Sequence, residues 1–473
     1  MINKDNNIIY SYNINSLSMR KKNGGKVIAS GGFGCVFKPA LLCNGQTTRD
    51  KNKITKLMLK KYAIEEYEDV IKYEDIIKKI PDYKKYFLIE GFHICEPEFL
   101  KEEDLQQFKE KCTALPKKDI DKDNINKSLD KLLAINMPDG GYPIDDFVMN
   151  NGSYSVLIKV NNSLMDLLLN GIIEMNKLHI YHCDIKDSNI LVDNDLKNGS
   201  LYTKLIDWGL STDYNPEKDM VLPKTWKNRP FQFNTPFSII IFSEKFTEKY
   251  SKFLIEEKNG EIKEEDLKNF IKNFIFYWLK ERGSGHFKFI NSIMVKLFFH
   301  KIENNYSLTD KNLLTNKKEK NKYIEKNFTI PYMVNYIYAV LIYYTEVKKD
   351  GKVTFRKYLN EVFIKIIDLF GWITCYYPIL EIYYENYDTL SPNEMKIYNI
   401  ICNVFIKYLY QPTIKTINIR DLINELKSLN PLFNKEEHLQ FKSTNVLSRT
   451  MSKSKQKKSS FSKTRKLNGI LHP

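Results

Sequence analysis

Glycine and proline are sparse in this 473-residue chain, at 19 and 16 residues, which excludes collagen-like and Gly/Pro-rich low-complexity architectures. Alanine is scarce as well, while isoleucine, lysine, asparagine and tyrosine are heavily used, the bias an AT-rich coding sequence produces. No clean apolar run reaches the roughly 20 residues of a bilayer span. The most apolar stretch, 362–384, is broken by Lys365, Asp368, Pro378 and Glu381 and reads as buried helix, so no membrane span is expected. Residues 1–20 lack the apolar centre of a signal peptide. The cysteines, at 35, 43, 95, 112, 183, 375 and 402, are odd in number and never spaced Cys-x-x-Cys. That spacing predicts neither a disulfide framework nor a zinc site and favours a soluble protein in a reducing, intracellular or cytoplasmic setting.

Acidic residues are missing from 440–473, which holds nine basic ones. Removing those nine from the 73 basic residues leaves 64 against 58 acidic, so the formal charge of +15 is concentrated in the tail. The body needs no nucleic-acid partner to explain its charge, whereas the serine- and lysine-rich tail is a candidate for an acidic or nucleic-acid partner and is expected to be disordered.

What is present has a direction. Residues 1–25 form a loose leader. From residue 26 short β-branched runs alternate with turns: 27–29, 35–39 and 54–59 are strand candidates, 62–80 carries a helical pattern, 86–94 returns to strand character, and 132–137 is a further strand. Residues 96–128, charged and non-periodic, read as an insertion. After the Gly140-Gly141 junction helices dominate, beginning with an amphipathic run over 156–177 and continuing to 435. The expectation is an α+β protein, a small β-rich part over 26–141 followed by a large helical part over 142–435.

Chemistry gathers in three places. Ile28-Ala29-Ser30-Gly31-Gly32-Phe33-Gly34-Cys35-Val36 sets small residues between two strands, where backbone amides can approach a polyphosphate because no side chain holds them off. A glycine hairpin is also ordinary structure. Lys56 follows on the next strand, within reach of such phosphates or pointing to solvent. The third place is the most specific. His182-Cys183-Asp184-Ile185-Lys186-Asp187-Ser188-Asn189 is followed by Asp207-Trp208-Gly209. A carboxylate to take a hydroxyl proton, a lysine two residues on, and an amide plus a second carboxylate as oxygen ligands for Mg²⁺ are the parts phosphoryl transfer requires.

Over 26–238 these motifs resemble the eukaryotic-type serine/threonine protein kinases. The Gly-Gly junction, Asp-Trp-Gly and the segment Phe231-Gln232-Phe233-Asn234-Thr235-Pro236-Phe237-Ser238 resemble, more narrowly, the kinases of giant nucleocytoplasmic DNA viruses. The resemblance implies a bilobal fold, ATP and Mg²⁺ as cofactors, and a protein substrate. It also implies Asp184 as catalytic base, Lys186 on the γ-phosphate, Asn189 and Asp207 on the metal, Lys56 on the nucleotide, and 138–141 as the hinge beside adenine. A viral kinase would work in host cytoplasm or be carried in the virion.

Departures from the pattern leave several points open. Ala29 replaces the first loop glycine, Cys183 replaces the arginine that receives an activation-loop phosphate, and no Ala-Pro-Glu follows Gly209. Thr235-Pro236-Phe237 stands in its place without an acid for the expected buried ion pair. Glu66, Glu68 and Glu74 are all candidate partners for Lys56, with Glu66 favoured. Two alternative functions follow from the departures, a non-catalytic scaffold on the same fold or phosphoryl transfer to a non-protein acceptor.

Overall fold

A computed structural model describes residues 25–195, 200–257, 262–283, 285–303 and 316–434. The expected leader, apart from its last residue, and the basic tail lie outside the described residues. The chain divides into two compact units, with one boundary between Gly141 and Tyr142.

The first unit is built on an antiparallel sheet of five strands, β1 (Lys26–Ser30), β2 (Gly34–Lys38), β3 (Lys53–Leu59), β4 (His93–Cys95) and β5 (Leu132–Pro138), in the order β1-β2-β3-β5-β4. The central pair is the longest, β3 matching β5 from Lys53↔Pro138 to Leu59↔Leu132. Helix α1 (Lys60–Ile77) leaves β3 directly and buries Ala63, Val70, Tyr73 and Ile77, a spacing that keeps one stripe inward. The strand expected over 86–94 is corrected: only His93–Cys95 pairs with the sheet, Tyr83–Tyr86 is a helical turn, and Phe87 makes a lone parallel bridge to Leu205.

Residues 96–128, read as an insertion, pack into the core of the first unit. Leu100, Leu105, Phe108, Ala114, Leu115, Ile120 and Ile125 are buried with Val27, Phe37 and Leu57 in one cluster. The apolar residues are too irregularly spaced for a periodic signal because the segment packs through short turns rather than one long element. One disulfide, Cys35–Cys112, ties it to β2, and a second, Cys43–Cys95, joins the chain ahead of β3 to β4. The expectation of no disulfides is therefore overturned, and the argument for a reducing compartment loses its premise. Odd number and wide spacing carried no signal because the partners are 77 and 52 residues apart in sequence.

The first unit also takes Leu169–Asp184 and Lys204–Asp219. The contacts responsible run through α1 and residues 87–88: Leu88 N–H donates to Leu205 O at 3.1 Å, and the Tyr73 hydroxyl donates to Ser211 O at 3.0 Å. Within these segments β7 (Ile180–Tyr181) pairs antiparallel with β10 (Thr212–Asp213).

The second unit holds a short sheet, β6 (Tyr142–Pro143), β8 (Ile190–Asp195) and the greater part of β9 (Ser200–Leu205). Its helices include α2 (Tyr154–Asp166), α3 (Glu244–Glu256), α4 (Glu264–Arg282), α5 (Gly285–Glu303), α6 (Ile330–Tyr344), α7 (Ile364–Thr374), α8 (Tyr377–Glu385), α9 (Pro392–Phe405) and α10 (Ile419–Lys427). At its centre the Trp372 indole donates to Leu164 O at 3.0 Å, and the Tyr376 hydroxyl donates to Asn161 Oδ1 at 2.8 Å. Among the described residues, two helical runs have the length and hydropathy to cross a bilayer, Tyr154–Lys177 and Arg356–Glu385. The apolar stretch of the second is 94% buried in the protein, as a core helix is.

Candidate phosphoryl-transfer site

Lys56 sits in β3 opposite Val36 of β2 and Ile135 of β5. Its Nζ lies 2.7 and 2.5 Å from the two carboxylate oxygens of Glu66, on the second turn of α1. Of the three acids left open by the sequence, Glu66 is the one in contact. Glu74 pairs with Lys78 at 2.5 Å, and Glu68 is exposed. The pair is only about a fifth exposed, so each charge is held by the other rather than by bulk water.

The glycine turn sits over this pair. The Gly31 N–H closes the turn on Gly34 O at 2.9 Å. A Cβ at Gly31 would stand 3.7 Å from Lys56 Cε, so glycine keeps the space beside the lysine open. At Gly34 the reason for glycine is different: a Cβ would lie 2.7 Å from Leu57 O and 2.9 Å from Met58 Cβ, which the close approach of β2 to β3 forbids. Gly32 and Phe33 are exposed at the tip, Ser30 is half-buried, Ala29 is exposed, and Ile28 and Val36 are half-buried on the flanking strands. Cys35 is corrected from a free thiol to a buried disulfide partner, so only its backbone can face a nucleotide.

Asp184 is placed by His182. The fully buried imidazole accepts from the Asp184 N–H at Nδ1 (3.4 Å), and its Nε2 lies 3.0 Å from Ile206 O, fixing the tautomer with the proton on Nε2. One ring thereby ties the backbone of Asp184 to the residue before Asp207. Cys183 and Asp207 both have left-handed backbones, with φ of 61° and 70°. Such conformations cost a non-glycine residue about 1–3 kcal/mol and persist only where the surroundings over-determine them. The Asp207 carboxylate is exposed, while Trp208 is buried against His182, Phe87 and Tyr73 at ring distances of 5.3, 5.8 and 6.0 Å.

Two groups on α1 escaped the sequence reading. Tyr73 stacks near Trp208 and holds Ser211 O, so the helix that carries Glu66 is fastened to the segment that carries Asp207. Asp69, one turn beyond Glu66, has Oδ2 3.8 Å from where a Cβ on Gly209 would be. Burial pushes its carboxyl up to about 6, against the pull of Lys72 and with a further push from Glu66, Glu65 and Glu68. An apolar/charged pattern cannot distinguish these two from ordinary helix residues.

Lys186 and Asn189 belong to the second unit. The Asn189 N–H donates to Lys186 O at 2.9 Å across a tight turn, and Asp187 caps Ser188 N–H at 2.8 Å. Asn189 is buried. The loop is held at Ile185, whose carbonyl accepts from Asn234 Nδ2 at 3.0 Å. A Cβ on Gly371, in α7, would lie 2.5 Å from that same carbonyl oxygen. A glycine inside the bulky run Leu369-Phe370-Gly371-Trp372 was the available signal. Just after Thr235-Pro236-Phe237, Ser238 and Tyr358 form a buried neutral pair at 2.8 Å.

Asp207 in the first unit and Asn189 in the second each carry an oxygen donor, the kind a hard cation such as Mg²⁺ takes rather than zinc. Cys43, His93 and Cys95 bring donor atoms within 4.8 Å of one another, but the two sulfurs are consumed by their disulfide.

Residues 127–229 match the family model of the protein kinase domain, about a fifth of the chain. A crystallised kinase domain aligns with 46% of this chain at 16% identity and a TM-score of 0.25, and the chain spans 57% of that domain's length. No curated protein matches the chain. Residues 127–229 are thus similar to the protein kinase domain, within a chain whose described residues form a β-rich part followed by a helix-rich one.

Proposed function

We propose that this chain transfers the γ-phosphoryl group of ATP to serine or threonine hydroxyls of protein substrates, with Asp184 as the base. The observation that carries the reading is the Lys56–Glu66 pair beneath the open side of Gly31, in the same unit as Asp184 and Asp207. Glu66 holds the ammonium extended, where it can anchor phosphate oxygens. Asp184, its backbone set by His182, orients the acceptor hydroxyl and takes its proton. Lys186, two residues on, offsets charge on the transferring group, and the lysine at that spacing is what favours serine and threonine. Mg²⁺ bound through Asp207 and Asn189 would supply charge neutralisation to the phosphates. None of these assigned groups serves as a nucleophile, so the transfer proposed is direct.

Cys183 occupies the position of the arginine that reads activation-loop phosphate. Its Sγ donates instead to Tyr181 O at 3.3 Å, so transfer is expected without prior phosphorylation of that loop.

The test is transfer from γ-labelled ATP with Mg²⁺ to generic protein acceptors, comparing wild type with Asp184→Asn. Label on serine or threonine that is lost in the variant supports the reading. ATP binding with no transfer from either protein overturns it in favour of a scaffold or a non-protein acceptor.

A further inference from the structure

The glycine turn is fastened from outside its own hairpin. Cys35, the residue after Gly34, is joined to Cys112, and both are buried, at 0% and 2% exposure. At the other end of the turn, Ser30 Oγ accepts from the N–H groups of Thr113 and Ala114 at 3.0 and 3.1 Å. Thr113 Oγ1 lies 3.2 Å from the same oxygen. Cys112 and Thr113 are adjacent, so one dipeptide of the 96–128 segment grips both ends of the turn.

That dipeptide is itself held down. Asp104 pairs with Arg49 at 2.8 Å and accepts from Gly25 N–H at 2.8 Å, and Val27 N–H donates to Gln106 O at 3.2 Å. Phe108 and Leu115 are buried against the same cluster as Val27 and Phe37. A turn with three glycines in four residues loses more conformational freedom on ordering than one built of other residues. If a ligand must order it, that cost is subtracted from binding; if the protein has ordered it already, the cost is absent.

We infer that the 96–128 segment is a clamp that pre-orders the glycine turn for nucleotide, with Ser30, Cys35, Cys112 and Thr113 as positioning residues. Nucleotide affinity then depends on the oxidation of the Cys35–Cys112 bond. The inference rests on the nucleotide-binding reading above. Reduction by a dithiol breaks the S–S bond, gives each sulfur a proton and one electron, and leaves the dithiol as a cyclic disulfide. None of the four side chains is assigned to the reacting atoms, so the clamp acts on binding and not on the chemical step. The other disulfide, Cys43–Cys95, joins the chain ahead of β3 to β4 and serves as the control.

The experiment uses the full chain purified without reductant, with disulfides mapped by mass spectrometry. ATP affinity is titrated with a fluorescent ATP analogue, KM and kcat are measured for ATP, and backbone hydrogen exchange is followed over 30–36. In Cys35→Ser/Cys112→Ser, Kd and KM are expected to rise about 5–10-fold with kcat within about twofold, and amides of the turn to exchange faster. Cys43→Ser/Cys95→Ser is expected to leave Kd unchanged. Ser30→Ala, which keeps the disulfide, should weaken binding, and Ser30→Thr should restore it. Equal ATP affinity with and without the Cys35–Cys112 bond overturns the clamp, as does an equal loss in the control. If wild type binds no ATP, the nucleotide reading fails instead, and hydrogen exchange alone decides the clamp: unchanged turn amides in the variants sink it.

Discussion

The two units solve the same problem with different materials. The first has a thin sheet, a glycine turn and a long irregular segment, and it is stapled by two disulfides and by charge pairs, Lys56–Glu66 and Arg49–Asp104. The second is packed with large rings: Phe363 meets Trp226 and Phe242 at 5.6 and 4.8 Å, and Trp372 meets Tyr376 at 5.5 Å. Its buried polar groups mix charged side chains, Asp187, Arg229, Lys296, Asp368 and Glu394, with neutral pairs, Asn161 bonding Tyr376, Asn430 and Leu426 O, and Ser238 bonding Tyr358. Burial pushes the Tyr376 and Tyr358 hydroxyls well above their ordinary range, so they stay neutral. The contrast follows from size. A small core buries too little apolar surface and gains from crosslinks, whereas a large helical one does not need them. It also separates roles, because most of the charged groups assigned to chemistry, and both strained residues that frame them, lie in the stapled unit.

The comparison breaks most visibly at Trp372. Trp372→Ala removes a fully buried ring and its hydrogen bond to Leu164 O, and is expected to cost about 3–5 kcal/mol in chemical denaturation. A loss below about 1 kcal/mol would mean that ring packing is not what holds the second unit. Next comes Gly371→Ala, whose Cβ forces Ile185 O away from a 2.5 Å approach. Phosphoryl transfer is expected to fall about 100-fold, because displacement of a catalytic loop by about 1 Å costs that much, while ATP affinity holds. Loss of both together would point to unfolding instead. Smaller again is Glu66→Gln: the pair is partly solvated, so stability should change by about 1 kcal/mol or less, with transfer reduced about tenfold in steady-state assays. Unchanged transfer would detach the ion pair from the proposed chemistry.

Legibility followed how local each signal was. β3 and β5 were readable because β-branched runs report themselves, and His182 to Asn189 with Asp207 to Gly209 were readable because their spacing is fixed within a few dozen residues. Lys56 could be placed on its strand, yet the choice among Glu66, Glu68 and Glu74 needed the rotation of α1, which the spacing of charges did not give. Cys35–Cys112 was invisible because its partners are 77 residues apart and only the folding of 96–128 brings them together. The strand expected at 86–94 failed for a related reason. Phe87 and Leu88 are apolar because they meet Leu205 from another part of the chain, not because they extend the sheet.

Asp69 gives the finest test of what a half-buried charge costs in the first unit. Its carboxyl titrates at about 6, above the ordinary 3.8, because burial beside Gly209 and Glu66 disfavours the anion. A carboxyl raised in this way binds more protons folded than unfolded. Its contribution is therefore most favourable below about pH 4 and is lost as pH rises through 6. At pH 7.5 the anion is a net cost, reduced by water at the half-exposed group to about 1 kcal/mol or less. Asp69→Asn should accordingly stabilise the first unit at pH 7.5, lose about half of that gain by pH 5 and most of it by pH 4, in parallel urea titrations. Lys72→Met should do the opposite at pH 7.5, since Lys72 is the cation that holds the Asp69 carboxyl down. A gain from Asp69→Asn that is flat with pH would show that shape, not charge, sets the cost.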